Sequence, residues 1–336
     1  MALQIDLDRY FTAEAIGQVL YDAEPVRTPI WSRVFSKTKQ HPLPHISKKT
    51  FVETTGNIPV IKRGSSSIGV YDGEDTVDLF DPQPLAVNTI IKASDFLNLQ
   101  MVGDESTLQD WVADKLSMLR DRIFTTIEAL CIQAFVDGEI NYAIKIYEGD
   151  LGDYKVNFGN LIPVPVAFTG VWGGATIENI FKDILVLKNA IKKHTRYGST
   201  IGILAGETAF YTLVGKAEGM MTSTTVNMRI EEDTVLINGT KIEYMGDAGY
   251  TDLKTGAWVD AIGTNDIVLF AEDAPFQLNY LAIDDFDAIT GGPQVVARSF
   301  FPKSIRQDDP SGYKILVQSK PFPMSVPLAT LKVTVI

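Results

Sequence analysis

The chain has 336 residues, 45% hydrophobic and 21% charged, the balance of a globular protein with room for one large domain or two ordinary ones. Its 42 acidic residues against 30 basic leave a formal net charge of −12, a field that repels phosphate backbones and disfavours a dedicated nucleic-acid binder. The single cysteine permits no intrachain disulfide, and the longest near-apolar run, 201–214, is broken by Glu207 and Thr212 short of the ~20 residues a membrane span needs.

The first residues lack the basic start and apolar middle of a signal peptide, so the product is expected to stay in the cytoplasm where it is made. Residues 1–45 read as an arm: a short amphipathic piece at 12–20, then Pro25, Pro29, Pro42 and Pro44, which forbid long regular structure. Trp31, Val34 and Phe35 interrupt this polar arm and need a cover, from the same chain or a neighbour.

Residues 46–103 read as an extended loop. Strand-like runs at 50–55 and 58–61 form one group, 85–91 forms the other, and a Gly-, Ser- and Asp-rich tip lies at 62–75. That tip is expected to be the most mobile part of an isolated subunit. Ordering such segments costs ~1–2 kcal/mol per residue, and a two-stranded excursion is marginal alone. Trp31, Phe35, Ile58, Val60 and Ile90 are therefore the candidate intersubunit contacts.

A helix is predicted over 104–137, with Asp104, Ser106 or Thr107 to start it and Gly138 to stop it. Apolar residues recur along it at three- and four-residue steps from Leu108 to Phe135, one stripe on a rod about 50 Å long. A β-hairpin follows, 139–147 and 154–158, with its turn through Gly149 and Gly152. A second block opens with a helix at 176–193, N-capped by Thr176, then a strand at 200–205 and a helix near 207–215. Asn238-Gly239 signals a hairpin, and further strands are expected at 267–270, 294–299, 313–319 and 328–336.

Candidate chemical sites are thin. His41 and His45 have prolines between them that preclude one helical face, His194 suits a helix end, and Cys131 falls in a helical apolar pattern that implies an inert thiol. Asp284, Asp285 and Asp287 lack the spacing of a calcium loop, and the Gly-rich stretch 170–174 lacks the Lys-Ser/Thr of a phosphate loop. No catalytic, cofactor-binding or metal residue is assigned, and no enzyme is expected.

Two stretches carry a resemblance. Ala297-Arg298, Phe301-Pro302-Lys303, Asp309-Pro310 and Gln318-Ser319-Lys320-Pro321 fall in the order and approximate spacing of the closing segment of the lambda-type major head proteins of tailed phages. The stretch 127–138, from Ile127-Glu128 to Gly138, is similar to the end of that family's spine helix. The family residues so marked are Arg298, Pro302, Lys303, Asp309, Pro310, Gln318, Ser319 and Pro321.

The resemblance implies an α+β capsid fold: an arm (1–45), an extended loop (46–103), a peripheral domain with the spine helix (104–175), an axial domain (176–290), and C-terminal strands (291–336) returning to the peripheral domain. It also implies a structural subunit of an icosahedral phage or prophage head, assembling with itself as hexamers and pentamers around packaged DNA. The implied partners are a separate scaffolding protein, a portal and a decoration protein, with no cofactor and no membrane. A cellular nanocompartment shell of the same fold, and a metal- or phosphate-dependent enzyme, are the alternatives.

Overall fold

The computed structural model describes residues 16, 26–47, 79–95, 105–147, 150–218, 226–291, 297–309 and 311–336. In chain order its first half contains α1 (Pro29–Val34), β1 (Thr38–His41), β2 (Ile46–Ser47), β3 (Leu79–Phe80), β4 (Leu85–Lys92), α2 (Glu105–Val136), β5 (Glu139–Tyr147), β6 (Asp150–Asn157) and α3 (Ile177–His194). Then come β7 (Ile201–Ala205), α4 (Glu207–Glu218), β8 (Met228–Glu231), β9 (Thr234–Ile237), β10 (Thr240–Tyr244), β11 (Gly249–Thr251), β12 (Trp258–Asp260), β13 (Asp266–Ala271) and β14 (Gln277–Leu281). The chain closes with α5 (Phe286–Thr290), β15 (Phe301–Asp308), β16 (Ser311–Ser319), β17 (Pro321–Met324) and β18 (Thr330–Thr334).

Helix α2 is one unbroken rod of 32 residues, about 48 Å long at 1.5 Å per residue. It stops where Gly138 adopts φ +70°, a left-handed conformation that costs glycine least, and where a Cβ would lie 2.8 Å from the Gly159 carbonyl oxygen. The sequence predicts a single apolar stripe, and the first half of α2 has one: Val112, Leu116, Leu119 and Ile123 are buried while Met118 is 51% exposed. The second half differs. Every residue from Ile127 to Val136 is buried, because that half is surrounded by α1, β5, β11, β17 and β18 rather than resting on one surface.

Strands β18-β13-β7-β10-β9-β8 form a six-stranded mixed sheet, with β7 antiparallel to β13 and parallel to β10. Residues Asn238 and Gly239, at φ +46° and +79°, make the tight β9–β10 turn that their sequence signals. Helix α3 packs on β13 and β18, α4 on β8 and β9. Thr176 precedes α3 in an extended conformation, but its hydroxyl makes no cap bond; its carbonyl accepts from Asn179 and Ile180 instead.

Strand β4 corrects the extended-loop reading. Among the described residues it pairs in an eight-residue antiparallel register with β16, outside that loop, giving the three-stranded sheet β15-β16-β4 against α2. The loop's base is instead the short ladder β2–β3, Ile46 opposite Phe80 and Ser47 opposite Leu79, pinned by a triad of Phe80, Phe158 and Phe322 with centroids 5.5 Å apart. Ile58, Val60 and the 62–75 tip lie outside the described residues.

The C-terminal strands also divide. β16 returns to α2 with β15 paired on its far side, β17 pairs with β14, and β18 completes the edge of the six-stranded sheet. Residues 297–299, expected to be strand, are irregular, and the ladder opens at Phe301. In β5–β6 the turn lies before Asp150, so Gly152 sits within the strand against Ile146.

The two halves of α2 give different mutational outcomes. Ile127→Ala should cost about 2–5 kcal/mol in urea denaturation, while Met118→Ala on the same helix should stay within about 0.5 kcal/mol. Equal losses at both positions would contradict the burial asymmetry.

Candidate functional site and assembly surfaces

The arm docks through three carboxylates, of which Glu128 is buried. Pro29 opens α1, since a proline at the first helical position lacks only an N–H that would be unpaired anyway. The next two amides donate to a side chain of α2: Ile30 N to Glu128 Oε1 at 2.8 Å and Trp31 N to Glu128 Oε2 at 2.9 Å. Arg33 reaches the other way, donating to both carboxylate oxygens of Glu243 on β10 at 2.8 and 2.9 Å and pairing with Glu272. Arg33 also lies over the Phe270 ring. One six-residue helix thus ties α2 to the six-stranded sheet.

This docking corrects the intersubunit assignment of two residues. Phe35 is fully buried in its own chain, edge-on to Phe276 at 5.9 Å, and Trp31 is half-buried, edge-on to Phe124 at 5.1 Å. Pro29 starts a helix rather than preventing one, and Glu128 satisfies the free amides of Ile30 and Trp31, so this part of the arm buries Phe35 and half-buries Trp31 without a neighbour. Ile90 is different. It stays 44% exposed on the outer face of β4, in one cross-strand row with Lys314 and the exposed Ile305.

The closing motif is a single structural unit. Pro302 and Lys303 on β15 oppose Val317 and Leu316 on β16, and Gln318 lies between Phe301 and Ala86. Pro302, Ser319 and Pro321 are buried, Pro321 opening β17 opposite Tyr280. Arg298 and Asp309 are exposed, and Pro310 lies outside the described residues. Lys303 Nζ sits 3.2 Å from Asp285 Oδ1 and pairs with Asp287, while the buried Lys320 reaches Asp284 at 3.3 Å. The three aspartates therefore have ammonium partners, and no cluster of metal-ligating side chains occurs among the described residues.

The remaining candidates hold structural positions. His41 is in β1, paired with β14, rather than in a loop; His45 meets Asp81 at 3.2 Å on the surface; His194 ends α3 exposed. Cys131 is fully buried, which pushes its thiol pKa well up and away from the reactive thiolate. The 170–174 loop is committed to a carboxylate: Trp172 Nε1 and Thr169 Oγ1 donate to the buried Asp183, at 3.3 and 2.9 Å.

Two buried polar residues of α2 are not legible from its periodicity. Glu128 caps α1, and Gln133 bridges Tyr250 Oη (2.8 Å) and the Asn141 amide (3.0 Å). Their signal is an ionisable or amide side chain inside an otherwise apolar run, which requires a partner. Beside them an open groove of about 820 Å³ runs between β4, α2, β5 and β11, lined by Leu85, Val87, Ile123, Ile144, Tyr250 and Leu253 among others.

A sequence model described as phage major capsid protein E matches residues 12–335. The chain belongs to the phage major capsid protein E family. It is a structural subunit of a phage or prophage head, with the tailed-phage capsid fold. Among solved structures, a chain assigned as the capsid protein of a prophage in E. coli CFT073 is 14% identical, with 96% of each chain covered and a TM-score of 0.60. The cyanophage A-1(L) capsid is 12% identical over 94% of each chain, with a TM-score of 0.49. No curated protein sequence matches the chain.

The two grips on α1 respond oppositely to pH. Burial raises the Glu128 pKa above the ordinary value, the Trp31 and Ile30 amides only partly offsetting it, so this group favours the folded state more as pH falls through its raised pKa. Burial also disfavours charge on Glu243, but Arg33 and Lys241 outweigh it and lower the pKa, so that contribution is lost as pH falls through the lowered value. Melts of the isolated subunit should therefore show Glu128 adding stability as pH falls through its raised pKa towards the ordinary carboxylate range. Glu128→Gln, which cannot titrate, should remove that rise; an identical pH profile in the variant would contradict the assignment.

Proposed function

We propose that the chain assembles as hexamers and pentamers into a closed icosahedral shell around packaged DNA, and that it has no catalytic role. The family match over residues 12–335, on a chain that holds the aspartates of 284–287 and Asp183 in structural pairing, is the observation that supports this reading most. The net charge of −12 suits a wall that encloses DNA without binding its sequence. A scaffolding protein, a portal and a decoration protein are the partners such a subunit would meet, with assembly in the host cytoplasm before the head matures. No described helix is long and apolar enough to cross a membrane. The nanocompartment alternative is not favoured by the family match.

Within the subunit we assign the block of α2, β5–β6 and β15-β16-β4 to the periphery of a capsomer, and the six-stranded sheet with α3 and α4 to its axis. The separate helical flanking of that sheet supports the division.

Negative-stain electron microscopy of the purified chain across concentration and salt tests the reading. Capsomers or closed shells are the expected result. A chain that stays dispersed at every condition would contradict it. Duplex DNA mixed with those shells at about 50 mM salt should remain unbound in a filter assay.

A further inference from the structure

The six-stranded sheet carries opposite charge at its two ends. At the start of β7 it is positive. Helix α3 delivers the chain there, and its last turn and the residues after it expose Lys192, Lys193 and Arg196. Lys188, one turn earlier, donates to the Thr240 hydroxyl at the start of β10, which runs parallel to β7. Lys188, Lys192 and Lys193 make no ion pair among the described residues. Two carboxylates lie nearby: Glu272 is paired with Arg33, and Asp273 accepts from the amides of Gly198 and Ser199. Four cations against Asp273 leave this end positive, and the C-terminus of α3 offsets only about half a charge. The Lys188 pKa is lowered accordingly, by burial first and then by the charge of Lys192.

The end of β7 is negative. Helix α4 leaves it with Glu207 in its first turn, and the tight turn between β8 and β9 exposes Glu232 and Asp233. Tyr244, at the end of β10, lies between them: its amide donates to the Asp233 carbonyl, and its ring packs on Phe210 of α4. Burial raises the Tyr244 pKa, and its neighbour Tyr211 and the charges of Glu207 and Asp247 raise it further. The cations here are already paired, Arg229 with Glu231, Arg27 with Asp247 and Lys241 with Glu243. Glu207, Glu232 and Asp233 make no ion pair among the described residues.

The five residues of β7 hold these two ends about 16 Å apart, so they cannot neutralise each other within the subunit. A second copy brings the complementary end in equal number. A contact between unlike ends is heterologous, and such contacts close into rings.

We propose that the α3 end of the six-stranded sheet docks on the β8–β9 turn and the α4 N-terminus of a second copy, with Lys192 and Lys193 meeting Glu232, Asp233 and Glu207. The inference rests on the shell reading and adds to it a specific contact that orders subunits around a ring.

Charge reversal tests it in the full-length chain. Lys192→Glu/Lys193→Glu and Glu232→Lys/Asp233→Lys should each keep the fold in a thermal melt while raising the concentration needed for assembly about tenfold or more. If glutamates unsettle the end of α3, Lys192→Gln/Lys193→Gln should shift the threshold in the same direction. An equimolar mixture of the two reversed variants should form rings at the wild-type concentration, because each reversed end then faces its complement on the other variant. Such rings alternate and must be even-membered, so mass photometry should find hexamers without pentamers. Assembly of either reversed variant at the wild-type threshold would overturn the contact while leaving the shell reading intact. So would a mixture that assembles no better than its components, since the two ends would then meet other partners. Wild-type chain that never assembles would instead remove the shell reading, and the second copy with it.

Discussion

The structure depends on the complete burial of one half of one helix. From Ile127 to Val136 α2 has no solvent-facing side, so every element that touches it shares a single core. Phe135 shows how the blocks are joined. It packs edge-on against Phe270 of the six-stranded sheet at 5.2 Å and against Phe276 at 5.9 Å, and Phe276 in turn meets Phe35 at the end of α1. A helix buried all round fixes its neighbours by shape, since close-packed interiors do not deform continuously. A shell subunit needs that property, because small errors in subunit shape accumulate around a closed surface.

Charge is arranged around this core in pairs that cross between elements. Glu128 joins α2 to α1, Arg33 joins α1 to the six-stranded sheet, and Lys303 and Lys320 join the closing strands to the segment around α5. Such pairs contribute little net stability once desolvation is counted, but breaking one leaves an uncompensated buried charge. They therefore specify geometry more than they strengthen it. The aspartates of the 284–287 stretch are used in the same way: Asp285 caps α5, and Lys303 and Lys320 pair with all three.

The long helix, its glycine stop, the Asn238-Gly239 hairpin and the strand at 267–270 were legible because each follows from local rules: periodicity, a positive φ, or alternation. What was not legible depended on distant partners. Strand β4 reads as part of a loop because nothing local says that its partner is β16, more than 200 residues later. Trp31 and Phe35 read as exposed because Pro29 looks like a breaker, and Glu128, which satisfies the amides of α1, is 98 positions from Ile30. The closing motif marked the family correctly, and its residues proved to be a strand pair and its lysine grips, with Ser319 and Pro321 in the core.

If the second half of α2 is the shared core, the sheets around it cannot unfold separately. Native-state hydrogen exchange on the isolated subunit measures this directly, since amides that open only in global unfolding share one free energy. The amides of 127–136 should exchange with the same free energy and denaturant dependence as those of β7, β13 and β14. A six-stranded sheet that keeps its protection after α2 has exchanged would mean two independent units, and would contradict the shared core.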